Sequence, residues 1–136
     1  VPVLVLLALG SLGSAMPPPV VPGRRMTLAQ LRSLAAAVGF PDPVTAAAIA
    51  MAESGGDPCA QGDPNTGQRS CTPNGTSTSF GLWQVHIAGA IHAQYDPLRL
   101  LEAEYNARAA LAISKGGADF TPWTTYTSGL YRRYLK

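Results

Sequence analysis

The chain has 136 residues, enough for one compact domain but not comfortably two. Its hydrophobic content of 46% supports a core, while charged residues make up only 13%, against about 25% in an ordinary soluble domain. The net charge of +2, with Arg132, Arg133 and Lys136 crowded at the C-terminal end, suits an anionic cell wall or membrane surface; without a basic stripe and interleaved aromatics it excludes a nucleic-acid binder.

Residues 1–15 form an apolar run that ends in small residues. It resembles the end of a signal peptide, with Gly13-Ser14-Ala15 as the cleavage site, or else a non-specific apolar helix. It lacks a basic n-region and is shorter than the about 20 residues that span a bilayer. Membrane contact is therefore expected only through this segment. Residues 16–26, with Pro17-Pro18-Pro19 and Pro22-Gly23, read as an extended linker. The folded domain is expected over 27–136, as a monomeric unit of a longer chain.

Thr27 and Gln30 fit a capping box, and Leu28, Leu31, Leu34, Ala35 and Val38 follow at helical spacing up to Gly39. Asp42-Pro43 starts a second helix, with Asp42 as N-cap and Pro43 at the first helical position. From Val44 to Ala52 only Thr45 is polar, so this helix should be central and buried. It runs into Glu53 and stops at Ser54-Gly55-Gly56-Asp57-Pro58. A loop follows to about residue 78, then Ser79-Phe80-Gly81-Leu82-Trp83-Gln84-Val85, a longer helix over roughly 98–115, and an aromatic tail from Phe120 to Tyr134. Room for a sheet is limited to a short hairpin within 59–80. The predicted class is mainly α.

Cys59 and Cys71 flank a turn-rich stretch containing Gly62-Asp63-Pro64-Asn65 and Asn74-Gly75. A disulfide there would stabilise by about 3 kcal/mol and would imply an oxidising compartment; two free thiols are the alternative. His86 and His92 are six positions apart and there is no C-x-x-C, so no zinc site is expected, nor any other metal or cofactor.

A carboxylate at the C-terminal end of a buried helix is badly placed to stay charged. Desolvation and the negative end of the helix dipole both raise its pKa. A carboxylic acid kept protonated near neutral pH is what cleavage of a glycosidic bond requires. The competing reading of Glu53 is an exposed residue at a frayed helix end.

Glu53-Ser54-Gly55-Gly56-Asp57-Pro58, followed by Ser79-Phe80-Gly81-Leu82-Trp83-Gln84, resembles the first two motifs of the soluble lytic transglycosylase family. Thr125-Tyr126-Thr127-Ser128-Gly129 stands where the family has Ala-Tyr-Asn-Ala-Gly, with Thr127 in place of Asn. Tyr105-Asn106-Ala107 resembles the family's Asn-containing helix but lacks the Asp-Pro shortly before it. Phe120-Thr121-Pro122-Trp123 resembles a branch common in phage and actinobacterial cell-wall lysins. The resemblance covers about residues 27–134. It implies a lysozyme-like helical domain that acts on peptidoglycan glycan strands, secreted or associated with the cell wall or a virion. By it Glu53 is the acid and then the base, Ser79 and Gln84 hydrogen-bond the sugar or its N-acetyl group, and Tyr126 holds Glu53 or the substrate. Trp83 and Trp123 are either sugar-stacking faces or core. Asn106 is read as structural, pairing with backbone.

A hydrolase of this class needs a second carboxylate about 5–9 Å from the first. Asp57, Asp63 and Asp96 are the candidates, and Asp57 reads better as a turn residue. One credible carboxylate favours the family's non-hydrolytic cleavage, which leaves a 1,6-anhydro end, over lysozyme-type hydrolysis. A non-catalytic wall-binding or phage-tail module is the alternative from another class.

Overall fold

The computed structural model describes residues 19–62, 69–89 and 94–136. The apolar segment with Gly13-Ser14-Ala15, Pro17-Pro18, Asp63-Pro64-Asn65 and His92 lie outside the described residues.

Both predicted helix starts are realised by their caps. In α1 (Leu28–Val38) the Thr27 hydroxyl accepts from the Gln30 amide at 3.1 Å, and the Gln30 side chain accepts from the Thr27 amide at 2.9 Å. Gly39, at a φ of 112°, closes the last turn by donating to Ala35 and Ala36. In α2 (Pro43–Ser54) the Asp42 carboxylate accepts from the Thr45 amide at 3.1 Å. Ala46 to Ala50 are fully buried, so α2 is the central helix that its composition predicts. It packs against α1 on one side and against the C-terminal 3-10 turn (Leu130–Tyr134) on another.

Strand β1 (Ser79–Phe80) pairs antiparallel with β2 (Val85–His86), Ser79 opposite His86 and Phe80 opposite Val85. The hairpin expected within 59–80 is instead folded on the turn 81–84. Among the described residues the preceding loop adds a flank: Gln61 bridges Phe80, the Gly62 amide donates to the Ser79 carbonyl at 2.9 Å and the Gly81 amide to the Ala60 carbonyl at 2.8 Å. Side chains alternate along a strand. Phe80 and Val85 are buried on one face, and Ser79 and His86 share the other.

The single helix expected over 98–115 is divided into a 3-10 turn (Arg99–Leu101) and α3 (Ala103–Ile113). Glu102 between them is extended, with φ −92° and ψ 130°. The Leu100 carbonyl, which a continuous helix would pair with a backbone amide, accepts from the Asn106 side chain at 2.9 Å. A short helix α4 (Thr124–Thr127) and the C-terminal 3-10 turn complete the order. The described residues are mainly α with one two-stranded antiparallel sheet.

Asn106 has no exposed surface. Its amide also donates to the Phe80 carbonyl at 2.8 Å, and its oxygen accepts from the Trp83 amide at 2.8 Å. One side chain thus joins α3, the 3-10 turn, the end of β1 and the hairpin turn. A Cβ on Gly81, whose φ is +81°, would fall on the Asn106 amide and the Leu100 carbonyl, so only glycine fits. Trp83 is fully buried beside α2, its indole N–H donating to the Ala46 carbonyl at 3.0 Å and its ring stacked 5.8 Å from Phe40. The alanines of α2 leave space for that ring.

Cys59 and Cys71 form a disulfide. Beside it Asp57 is buried and accepts from the Cys59 amide at 2.9 Å and from Arg69 at 2.6 and 2.8 Å, with Arg25 3.8 Å away. Burial by itself raises the Asp57 carboxyl, but the hydrogen bonds from Arg69 and Cys59 and the two guanidinium charges outweigh it and hold the pKa below its ordinary value. Residues before α1 are tied to the same region. The Met26 amide donates to the Gly56 carbonyl at 2.7 Å, and Arg69 also donates to the Gly23 carbonyl.

Two stability predictions follow from these groups. Asn106→Ala leaves three buried backbone groups without their partner and should cost at least about 3 kcal/mol in urea unfolding; a loss under about 1 kcal/mol would show that water replaces the amide. The Asp57 contribution is present above the ordinary carboxyl value of 3.8 and is lost as pH falls through the lowered folded value. The difference in melting temperature between wild type and Asp57→Asn should therefore be largest near neutral pH and close below about pH 4. A difference independent of pH would mean that charge is not what holds this corner.

Candidate active site

Glu53 is the penultimate residue of α2, so the central helix delivers it to the surface of the core. It lines a cleft of about 180 Å³ whose other walls are the hairpin (Ser79, Gln84, Val85, His86), the end of α3 (Ile113) and the segment entering α4 (Pro122, Trp123, Thr124). Glu53 is partly buried. Burial raises its pKa above the ordinary value, opposed by hydrogen bonding from Thr125, whose hydroxyl donates to Oε2 at 2.7 Å. The raised direction matches what the position at a buried helix end predicts.

The structure brings Glu53, Ser79, Gln84 and Trp123 to one cleft. Gln84 holds a left-handed backbone, φ +47°, and its side-chain amide donates to the Gly81 carbonyl at 2.9 Å and the Ala60 carbonyl at 3.0 Å. These bonds lock the turn and leave Oε1 as the remaining acceptor of that side chain. Trp123 is 6% exposed, with its indole N–H donated to the Trp83 carbonyl at 2.7 Å, so it is a packed wall with an edge on the cleft. Trp83 has no exposed surface and is core, with no face open to a sugar. Tyr126 packs its ring against Phe120 at 5.6 Å and Tyr131 at 4.9 Å. The hydroxyl on Glu53 is that of Thr125, one position earlier.

Thr125 and His86, whose side chains make the polar contacts to Glu53 and Ser79, were not singled out by the sequence. Thr125 carries no signal of its own beyond its place beside Tyr126. His86 could have been found from the hairpin: with 81–84 as the turn, Ser79 and His86 are cross-strand partners, and their side chains meet at 3.0 Å between Oγ and Nδ1.

Among the described residues no second carboxylate lines this cleft. Asp57 is held in its ion pair with Arg69. Asp96 is exposed and accepts from the Leu98 amide at 3.0 Å. Asp63 lies outside the described residues.

The hydroxyl of Thr125 stabilises the charged form of Glu53. Thr125→Val should therefore move the Glu53 pKa further up, and Thr125→Ser should leave it near the wild-type value. Carboxyl carbon shifts followed by NMR over a pH titration measure this without substrate; an unchanged or lowered midpoint in Thr125→Val would refute it.

No curated protein and no solved structure matches the chain. Residues 32–125 match the family described as lysozyme-like domain. That span runs from α1 to Thr125 and holds Glu53, the hairpin, Asn106 and Trp123. With most of its length inside the match, the chain belongs to the lysozyme-like, soluble-lytic-transglycosylase superfamily of enzymes that cleave the glycosidic bonds of peptidoglycan.

Proposed function

We propose that the protein cleaves the β-1,4 bond between N-acetylmuramic acid and N-acetylglucosamine without water, leaving a 1,6-anhydro end. The observation that carries this reading is the solitary raised carboxyl: Glu53 lines a cleft in which no other described carboxylate takes part.

Glu53 starts protonated. The Thr125 hydroxyl donates to Oε2 and holds the carboxyl in place beside the cleft. Proton transfer to the glycosidic oxygen lets the bond from C1 of the muramic acid to that oxygen break, and the leaving sugar departs with a new hydroxyl. The ring left behind is oxocarbenium-like. Its own 6-hydroxyl attacks C1, and the Glu53 carboxylate takes the proton released. Glu53 ends protonated again, so one residue serves as acid and then as base. A water-activating carboxylate has no part in this sequence.

Ser79 and the Gln84 Oε1 atom are the neutral polar groups that would read hydroxyls and the acetamido group, with the Trp123 edge as apolar wall. Neutral readers suit a substrate whose sugar rings carry no charge near the scissile bond. The disulfide and a cell-wall substrate agree with work outside the cytoplasm, in a secreted or wall-associated setting.

Mass spectrometry of purified peptidoglycan after digestion tests the reading. Wild type should release anhydro-muropeptides, and Glu53→Gln should release them about 10²–10⁴-fold more slowly. Reducing muropeptides would make the protein a hydrolase. Intact sacculi that bind the wild type without loss of soluble fragments would make it a wall-binding module.

A further inference from the structure

We propose that His86 is a positioning residue for the cleft: it fixes the direction of the Ser79 hydroxyl and so decides what Ser79 offers to a neutral amino sugar. The inference rests on the reading of this cleft as a glycan site.

Ser79 and His86 stand opposite each other in the strand register, on the face away from the buried Phe80 and Val85. Both line the cleft with Glu53. Oγ and Nδ1 are 3.0 Å apart, a hydrogen-bond distance. Behind Ser79 the loop approaches closely: its carbonyl accepts from the Gly62 amide at 2.9 Å, and a Cβ on Gly62 would stand 3.1 Å from the Ser79 Cβ. The backbone of Ser79 is thus held on both sides.

A lone serine hydroxyl turns freely about its C–O bond and offers a donor or either lone pair in any direction. A ring nitrogen at 3.0 Å removes that freedom by taking one of these sites. What remains of the hydroxyl is then directed away from the imidazole, toward the shared cleft. A bound sugar meets a preset partner for its acetamido group or hydroxyl and does not bear the entropy of orienting it. The Ser79–His86 pair is exposed, so its contribution is to recognition and not to stability.

The test is a double-mutant cycle in two readouts. Equilibrium binding of soluble, uncrosslinked glycan strands is measured in the Glu53→Gln background, with Ser79→Ala, His86→Ala, both, and His86→Asn added. The same changes in the Glu53 enzyme are followed by initial rates, and circular dichroism melting checks that each variant is folded. Ser79→Ala and His86→Ala should each weaken binding about three- to tenfold, the size of one hydrogen bond between neutral groups. The loss should fall on KM and not on kcat, as for uniform binding. The double variant should be no weaker than the worse single one. Asn, whose amide reaches the place of Nδ1, should restore binding to within about twofold. Additive losses, or a His86→Ala variant that binds like its parent, would overturn the proposal. If the wild type releases no fragments while Glu53→Gln still binds glycan, the cleavage reading fails and the cycle still decides whether the two residues act together. If Glu53→Gln binds no glycan, both fail.

Discussion

The Asn106 side chain is the constraint on which the cleft depends. It satisfies the Trp83 amide, the Phe80 carbonyl and the Leu100 carbonyl from a position with no solvent access. A buried amide with all these bonds made is stable, and with any of them missing it is costly. Its geometry therefore fixes three elements at once. The turn 81–84 is bound to it through Phe80 before it and Trp83 within it, Gly81 is pressed so close that no side chain fits, and α3 begins anew after Leu100 because that carbonyl is already engaged. The hairpin that carries Ser79, Gln84 and His86 thus takes its place from a residue that never reaches the cleft.

From that anchor the core is built outward through aromatic rings. Trp83, the residue whose amide meets Asn106, lies against α2 and Phe40, and its carbonyl receives the Trp123 indole. Trp123 is the residue before α4, and α4 brings Thr125 to Glu53. A chain of direct contacts therefore runs from Asn106 through Trp83 and Trp123 to the carboxyl of Glu53. The small side chains of the alanines in α2 permit this close packing, with the Ala46 carbonyl taking the Trp83 indole N–H. The two walls of the cleft, helix end and hairpin, are positioned by one packed set of groups, which is how a small domain holds reacting atoms in register.

The elements that were legible in the sequence are those set by local chemistry. The capping box at Thr27, the Asp42-Pro43 start and the burial of α2 need only near neighbours to be understood. The raised carboxyl of Glu53 was legible for the same reason, as the end of an apolar helix. What escaped depends on particular side-chain partners and not on local pattern. The break at Glu102 follows from a bond between Leu100 and Asn106 that helical periodicity does not register. The hairpin could not be located while its turn residues were read as a motif for sugar contact, since Gln84 at φ +47° carries no glycine signal. Trp83 and Trp123 look alike in the sequence; only packing makes one wholly internal and gives the other an edge on the cleft. Thr125 reaches Glu53 across 72 positions, and nothing in its neighbourhood announces that contact.

The short stretch from Glu53 to Asp57 shows how environment divides labour between like groups. Both side chains are carboxyls withdrawn from water, and burial pushes both pKa values up. Asp57 meets two guanidinium groups and a backbone amide, and is held charged. Glu53 meets the hydroxyl and the backbone of Thr125, too little to cancel its burial, and its pKa is raised. Carboxyls driven apart in this way are a mark of assigned roles. The charged one is committed to Arg69 and the corner beside the disulfide, where giving up its charge would leave a guanidinium without its partner. The one whose pKa is raised borders the cleft. A search for a second catalytic carboxylate near Glu53 in the chain therefore meets Asp57 first and must discard it on electrostatic grounds: an anion held this firmly by Arg69 is a poor base and a poor nucleophile.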